Sequence, residues 1–125
     1  MVVLYFQNKT DRAHVPPECL KRLNDILQDE SVGHNSRRYL IVIYLYLKER
    51  NLLKNRFKTR HFRDAICPSS TPFYHDCPIS SNEARCGLAW GCKHGLVEYD
   101  SRSRNYLYWF TEKFIKKGLK AIPKK

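Results

Sequence analysis

Acidic residues are scarce in this chain. Twelve Asp and Glu stand against twenty-three Lys and Arg, leaving a formal net charge of +11 and a pI near 9.6. That imbalance points to a polyanionic partner, with nucleic acid ahead of a membrane surface. The bland alternative is a basic face that meets only solvent. Long apolar runs are also missing. The longest, Tyr39 to Leu47, falls far short of the ~20 residues that span a bilayer. The N-terminus lacks the basic-then-apolar order of a secretory leader. The expectation is a soluble intracellular protein, cytoplasmic or in a host cell, with no membrane partner. Glycine is sparse, with five residues, and none builds a phosphate-cradling loop; G-x-S-x-G and a convincing Cys/His nucleophile pair are absent too. We therefore expect no enzyme and no cofactor.

What is present is concentrated between Ser80 and Thr111. Ser80 and Glu83 have capping-box spacing, with Ser81 and Asn82 also of N-cap type, so a helix is predicted to begin here. Gly95 supplies the left-handed residue that closes helices. Leu96 to Asp100 and Asn105 to Phe110 are rich in aromatic and β-branched residues and flank the basic segment Ser101–Arg104. That pattern predicts a hairpin.

The segment Trp90 to Lys113 resembles the second half of a MarR- or PadR-type winged helix domain. Gly95, Leu96, Val97 and Glu98 match the phrase that ends the family's recognition helix, and Phe110, Thr111, Glu112 and Lys113 nearly match the phrase after its wing. The resemblance covers about a fifth of the chain. It departs at Phe114, where the family has glycine, and in a long insertion before the recognition-type helix. The basic, tyrosine-rich composition with one methionine also resembles small proteins of archaea and their viruses. The resemblance implies an α+β winged helix-turn-helix fold, with a recognition helix over 81–94 and a wing over 96–110. Its implied function is sequence-specific binding of double-stranded DNA by a transcription regulator.

Read in order, the chain fits one domain over 1–125. An N-terminal extension covers 1–35, a winged helix core 36–111, and a C-terminal helix with tail 112–125. MVVLYFQ reads as an edge or dimer-forming strand. Pro16 and Pro17 open a helix with Leu20, Leu23, Ile26 and Leu27 on one side. RRYLIVIYLYLKERN reads as a central helix, although Ile41, Val42 and Ile43 also suit a strand. Phe57 and Lys58 are extended, and Thr59 caps a short second helix, RHFRDAI, with Phe62 and Ile66 inward. A proline-rich loop follows. The last segment, TEKFIKKGLKAI, is an amphipathic helix with Phe114, Ile115, Leu119 and Ile122 on one side and lysines on the other. The N-terminal elements or the last helix are available for a homodimer, since palindromic sites favour two-fold proteins.

On the helix from Ser81, residues Ala84, Leu88 and Gly91 share a core-facing stripe. Asn82, Arg85, Ala89 and Lys93 lie on a different flank. Arg suits guanine and Asn suits adenine through paired hydrogen bonds, so Arg85 and Asn82 are the candidate base readers and Lys93 a phosphate contact. Gly87 and Gly91 each cost roughly 1 kcal/mol against alanine, which close packing of a backbone or of DNA would justify. Arg102 and Arg104 at the hairpin tip are candidates for the minor groove or for phosphates. Between Arg37 and Arg63 lie nine basic residues and one acid, Glu49; Lys58, Arg60 and Arg63 are candidate phosphate contacts there. Tyr106, Tyr108, Trp109 and Trp90 read as core residues, with base stacking as the alternative.

The five cysteines lack the paired C-x₂₋₄-C spacing of zinc sites, so no metal is expected. Cys86 and Cys92 on one helix are ~9 Å apart along its axis and cannot bridge. Cys67 and Cys77 bracket the long loop as a candidate disulfide; free buried thiols and zinc are the alternatives. Two other functions stay open. One is a structural or protein-interaction module on the same scaffold. The other is a metal-dependent nuclease using Glu98 and Asp100, which share a strand face, with Asp64 as a loose third acid.

Overall fold

The computed structural model describes residues 15–62, 74, 76–102 and 106–123. Within them the architecture is α+β, with four α-helices and a three-stranded antiparallel sheet. The first helix, α1 (Pro17–Gln28), starts on Pro16 and Pro17, where a missing N–H costs nothing. Leu23 is its one fully buried residue. A single 3-10 turn, Glu30–Val32, leads to α2 (Asn35–Glu49).

Helix α2 is the centre of the molecule. Eight of its fifteen residues are buried, among them Leu40, Ile41, Val42, Ile43, Tyr44, Tyr46 and Leu47. Ile and Val each give up a few tenths of a kcal/mol in a helix. Burying one large apolar side chain is worth about 1.5–3 kcal/mol, so the packed surroundings win and the ambiguous run is helical.

The sheet comprises β1 (Phe57–Lys58), β2 (Val97–Asp100) and β3 (Leu107–Phe110), with spatial order β1-β3-β2. Its registers pair Phe57 with Tyr108 and Val97 with Phe110, which puts these four apolar side chains on one face. Phe110 then meets Tyr44 of α2 at 5.9 Å and Phe114 at 5.0 Å. Helix α3 (Ser81–Lys93) packs across α2, and α4 (Glu112–Lys117) seals the far end with Phe114.

Two expected elements take another form. Of the helix predicted over RHFRDAI, residues 63–66 lie outside the described residues; the described part is a single 3-10 turn, Thr59–His61, followed by Phe62 in an extended conformation (φ −86°, ψ 160°). Phe62 bridges Tyr74 in parallel, and the Tyr74 amide donates to the His61 carbonyl at 2.9 Å. The extended backbone lets the Phe62 ring fill a fully buried place 4.9 Å from Tyr74 and 6.3 Å from Phe57. A continued helix would not form that contact. The C-terminal helix is also interrupted. Gly118 takes φ 64°, α4 stops, and a 3-10 turn over Gly118–Ala121 follows. The change of direction leaves Leu119 38% exposed instead of inward, while Ile122 returns to the core. The expected N-terminal strand, Arg63, Asp64, Cys67 and Arg104 lie outside the described residues.

Part of the positive charge serves the fold. Arg38 donates to the Leu27 carbonyl at 2.5 Å and to Asn35, tying the end of α1 to the start of α2. Arg50 lies between the Tyr46 and Tyr74 rings, 5.5 and 5.4 Å from their centroids, and donates to the Tyr46 hydroxyl at 3.0 Å. Tyr46 in turn donates to Asp76, which also accepts the Val15 amide at 3.1 Å. This partly buried network fastens the start of α1 and Asp76 to α2.

His61 is 5% exposed, and its ring accepts the Lys58 amide at 3.1 Å. Burial, followed by the neighbouring charges of Arg60 and Lys58, lowers its pKa to about 4. An unfolded histidine titrates near 6.5. Between these values the unfolded chain binds the extra proton, so stability is full above about pH 6.5 and declines as pH falls towards 4. The expected loss is about 3 kcal/mol. Thermal unfolding from pH 7 to 4 should show it in the wild type and a flatter profile in His61→Gln; parallel profiles would refute the assignment.

Among the described residues, no helix is long and apolar enough to cross a membrane.

Candidate nucleic-acid interface

The start of α3 is held by reciprocal bonds. The Ser80 amide donates to Glu83 Oε1 at 2.8 Å, and the Glu83 amide donates to Ser80 Oγ at 3.3 Å. At the other end Gly95 (φ 72°) turns the chain into β2. Between these stops the helix has two unlike flanks. Ala84 and Leu88 have no exposure, and Gly87 and Gly91 are buried with them. Asn82, Arg85, Ala89 and Lys93 are all exposed. The Arg85 guanidinium donates to Asn82 Oδ1 at 3.3 Å, so the two candidate base readers stand side by side.

The glycines explain how α3 is set. A Cβ on Gly87 would lie 2.8 Å from Tyr39 Cβ and 2.9 Å from the Leu40 backbone nitrogen. A Cβ on Gly91 would meet Val97 Cγ2 at 2.6 Å. The close neighbour of both glycines is therefore the protein itself: α2 at Gly87, and β2 with a Leu40 side chain at Gly91. Of the two reasons the sequence offered for these glycines, close packing of another backbone is the one met at Gly87.

Beside α3, strands β2 and β3 form a hairpin whose described end carries Arg102. That guanidinium is engaged internally: Nη2 meets Asp100 Oδ2 at 2.6 Å, and Nε lies within 3.0 Å of both carboxylate oxygens. These bonds and the Arg102 charge hold the Asp100 carboxyl at about 2. Arg102, 91% exposed, is thus paired at the surface with the carboxylate two residues before it. Glu98 Oε1 accepts the Trp109 indole N–H at 3.2 Å, and Arg56 sits 4.1 Å from the Trp109 ring centroid. Both carboxylates of the pair that the alternative nuclease reading would use, Glu98 and Asp100, therefore have partners. Among the described residues no group of three or more His, Cys, Asp or Glu could hold a metal ion.

Neither protein-family models, curated proteins nor solved structures offer a match to this chain.

Lys58 lies half-buried in β1 and Arg60 is exposed on the turn that follows. Both are well separated in sequence from α3, but the turn packs against it. Arg63 and Arg104 fall outside the described residues, as does Cys67; Cys77, its candidate disulfide partner, is 1% exposed. Cys19, Cys86 and Cys92 are free thiols. The aromatic residues divide differently from expectation. Tyr108 is buried, Trp90 and Trp109 are half-buried, and Tyr106 is 45% exposed. The sequence reading missed Tyr99, 50% exposed and opposite Tyr108 in the register. Its signal was present: alternation from buried Val97 places Tyr99 on the same face, beyond the end of the core.

Proposed function

We propose that the chain is a winged helix domain that binds double-stranded DNA and regulates transcription. In this reading α3 enters the major groove and the β2–β3 hairpin is the wing. The observation that carries it is the division of α3: one flank fully buried, and the other presenting Asn82, Arg85, Ala89 and Lys93. Small Ala89 between longer donors allows close approach to base edges. The order α2, β1, α3, β2, β3, with β3 between the other strands, supports the same reading. The single 3-10 turn over Thr59–His61 stands where a standard helix-turn-helix has its second helix. Net charge of +11 supports attraction to a polyanion.

Lys93, Arg60 and Lys58 are the phosphate contacts in this arrangement, and Arg102 adds little while Asp100 balances it. Three phosphate contacts predict an affinity that falls with salt at a log–log slope of about 3. Fluorescence anisotropy of a labelled duplex across a salt series measures the slope. An affinity that ignores salt would rule out backbone binding by these cations. Selection of bound duplexes from a random pool tests whether the reading of bases is specific; an unenriched pool would reduce the function to non-specific binding.

A further inference from the structure

Tyr99 and Tyr106 form a stacked pair near the end of the hairpin. Their ring centroids are 5.2 Å apart and their planes differ by 4°. Both rings remain about half exposed, at 50% and 45%. Stacking covers the face that each ring turns to the other, and the open area belongs to the rest of each residue. Tyr108, 6% exposed, lies 6.2 Å from each ring and is itself stacked on fully buried Phe57 at 6.4 Å. The pair is thus the outer end of an aromatic series that starts in the core. Such backing holds the platform in place before any ligand arrives, which lowers the ordering cost of binding.

Two exposed tyrosines are more than hairpin pairing requires, because Tyr99 already has Tyr108 opposite it. The strand β2 that carries Tyr99 packs against α3, whose exposed flank presents Arg85 and Lys93. Flat aromatic faces beside cationic groups suit a nucleobase attached to a phosphate chain. Every base has a π face, so such a site tolerates any sequence. Bases inside a duplex are stacked on their neighbours and cannot offer that face.

We propose that Tyr99 and Tyr106, backed by Tyr108, are a stacking platform for an unpaired nucleobase. The favoured ligand is a duplex with a single-stranded flank. The inference rests on the DNA-binding reading for its duplex half and on the ring geometry for its unpaired half.

The test compares a blunt duplex, the same duplex with a short overhang, and the same overhang built from abasic units. The abasic flank carries the phosphates without the bases, so charge is matched. Wild-type protein is expected to bind the base-bearing overhang roughly tenfold more tightly than the abasic one. In Tyr99→Leu/Tyr106→Leu that preference should disappear while affinity for the blunt duplex stays. Tyr99→Phe/Tyr106→Phe keeps both rings and should keep the preference. Thermal unfolding establishes that each variant is folded; if the leucine variant is not, the phenylalanine variant decides. Equal binding of base-bearing and abasic overhangs, or loss of the preference in the phenylalanine variant, would overturn the platform and leave the duplex reading standing. Base-dependent binding of the overhang strand alone, with no binding of blunt duplex, would keep the platform and overturn the duplex reading. Binding of none of these probes would overturn both. A ribonucleotide overhang in the same assay distinguishes an RNA from a DNA source of the base.

Discussion

Gly87→Val is expected to lower the melting temperature by about 10 °C, a loss of about 3 kcal/mol. The first added carbon alone would stand 2.9 Å from a backbone nitrogen of α2 and 2.8 Å from a Cβ. Neither atom can swing aside as a side-chain end can, so the two helices must separate along their crossing. Separation would loosen contacts at Leu40, Ala84 and Leu88, all fully buried. Gly95→Ala is the control. Nothing lies within 4 Å of its added Cβ, and its left-handed backbone alone costs about 1–2 kcal/mol. A Gly87→Val protein that melts with the wild type would show that α2 and α3 do not cross this closely.

Arg85→Ala/Lys93→Ala is expected to weaken duplex binding about 100-fold without shifting the melting temperature. Loss of a bidentate arginine–base pair costs about 1–3 kcal/mol. Loss of one phosphate contact lowers the salt slope by about 1. Both side chains are exposed, and Arg85 has its hydrogen bond to Asn82 at the surface. Their removal therefore leaves the core as it was. The two substitutions separate in kind. Arg85→Ala should relax discrimination between sequences, whereas Lys93→Ala should weaken every duplex alike. Unchanged affinity in the double variant, measured by anisotropy at fixed salt, would remove α3 from the interface. The excess charge would then need another explanation.

That excess is a fair measure of how far composition can be trusted. Arg38 and Arg50 are structural, Arg56 covers Trp109, and Arg102 is balanced by Asp100. The roles of Arg38, Arg50 and Arg56 are not visible in a count of cations, because each depends on partners brought up by folding. The Arg102–Asp100 pair was the exception within reach, since its members are two residues apart. Likewise the open flank of α3 was legible from spacing alone, whereas the Tyr99–Tyr106 stack required knowing that β2 and β3 pair in register and outrun the core.

The signals that sequence alone settled are those whose atoms lie within a turn of one another. Ser80 and Glu83 close a capping box three residues apart, Pro16 and Pro17 launch α1, and Gly95 ends the run of α3. Such interactions need no loop closure and survive in any context. Tertiary structure decided the rest. It made Tyr39–Leu47 helical by burying it among α1, α3 and the sheet, although its β-branched residues pointed both ways. It ended the 3-10 turn Thr59–His61 at Phe62, which is extended in a fully buried place beside Phe57 and Tyr74. Those choices belong to residues far apart in the chain. Their free energy comes from apolar area removed from water and exists only when the distant surfaces have met.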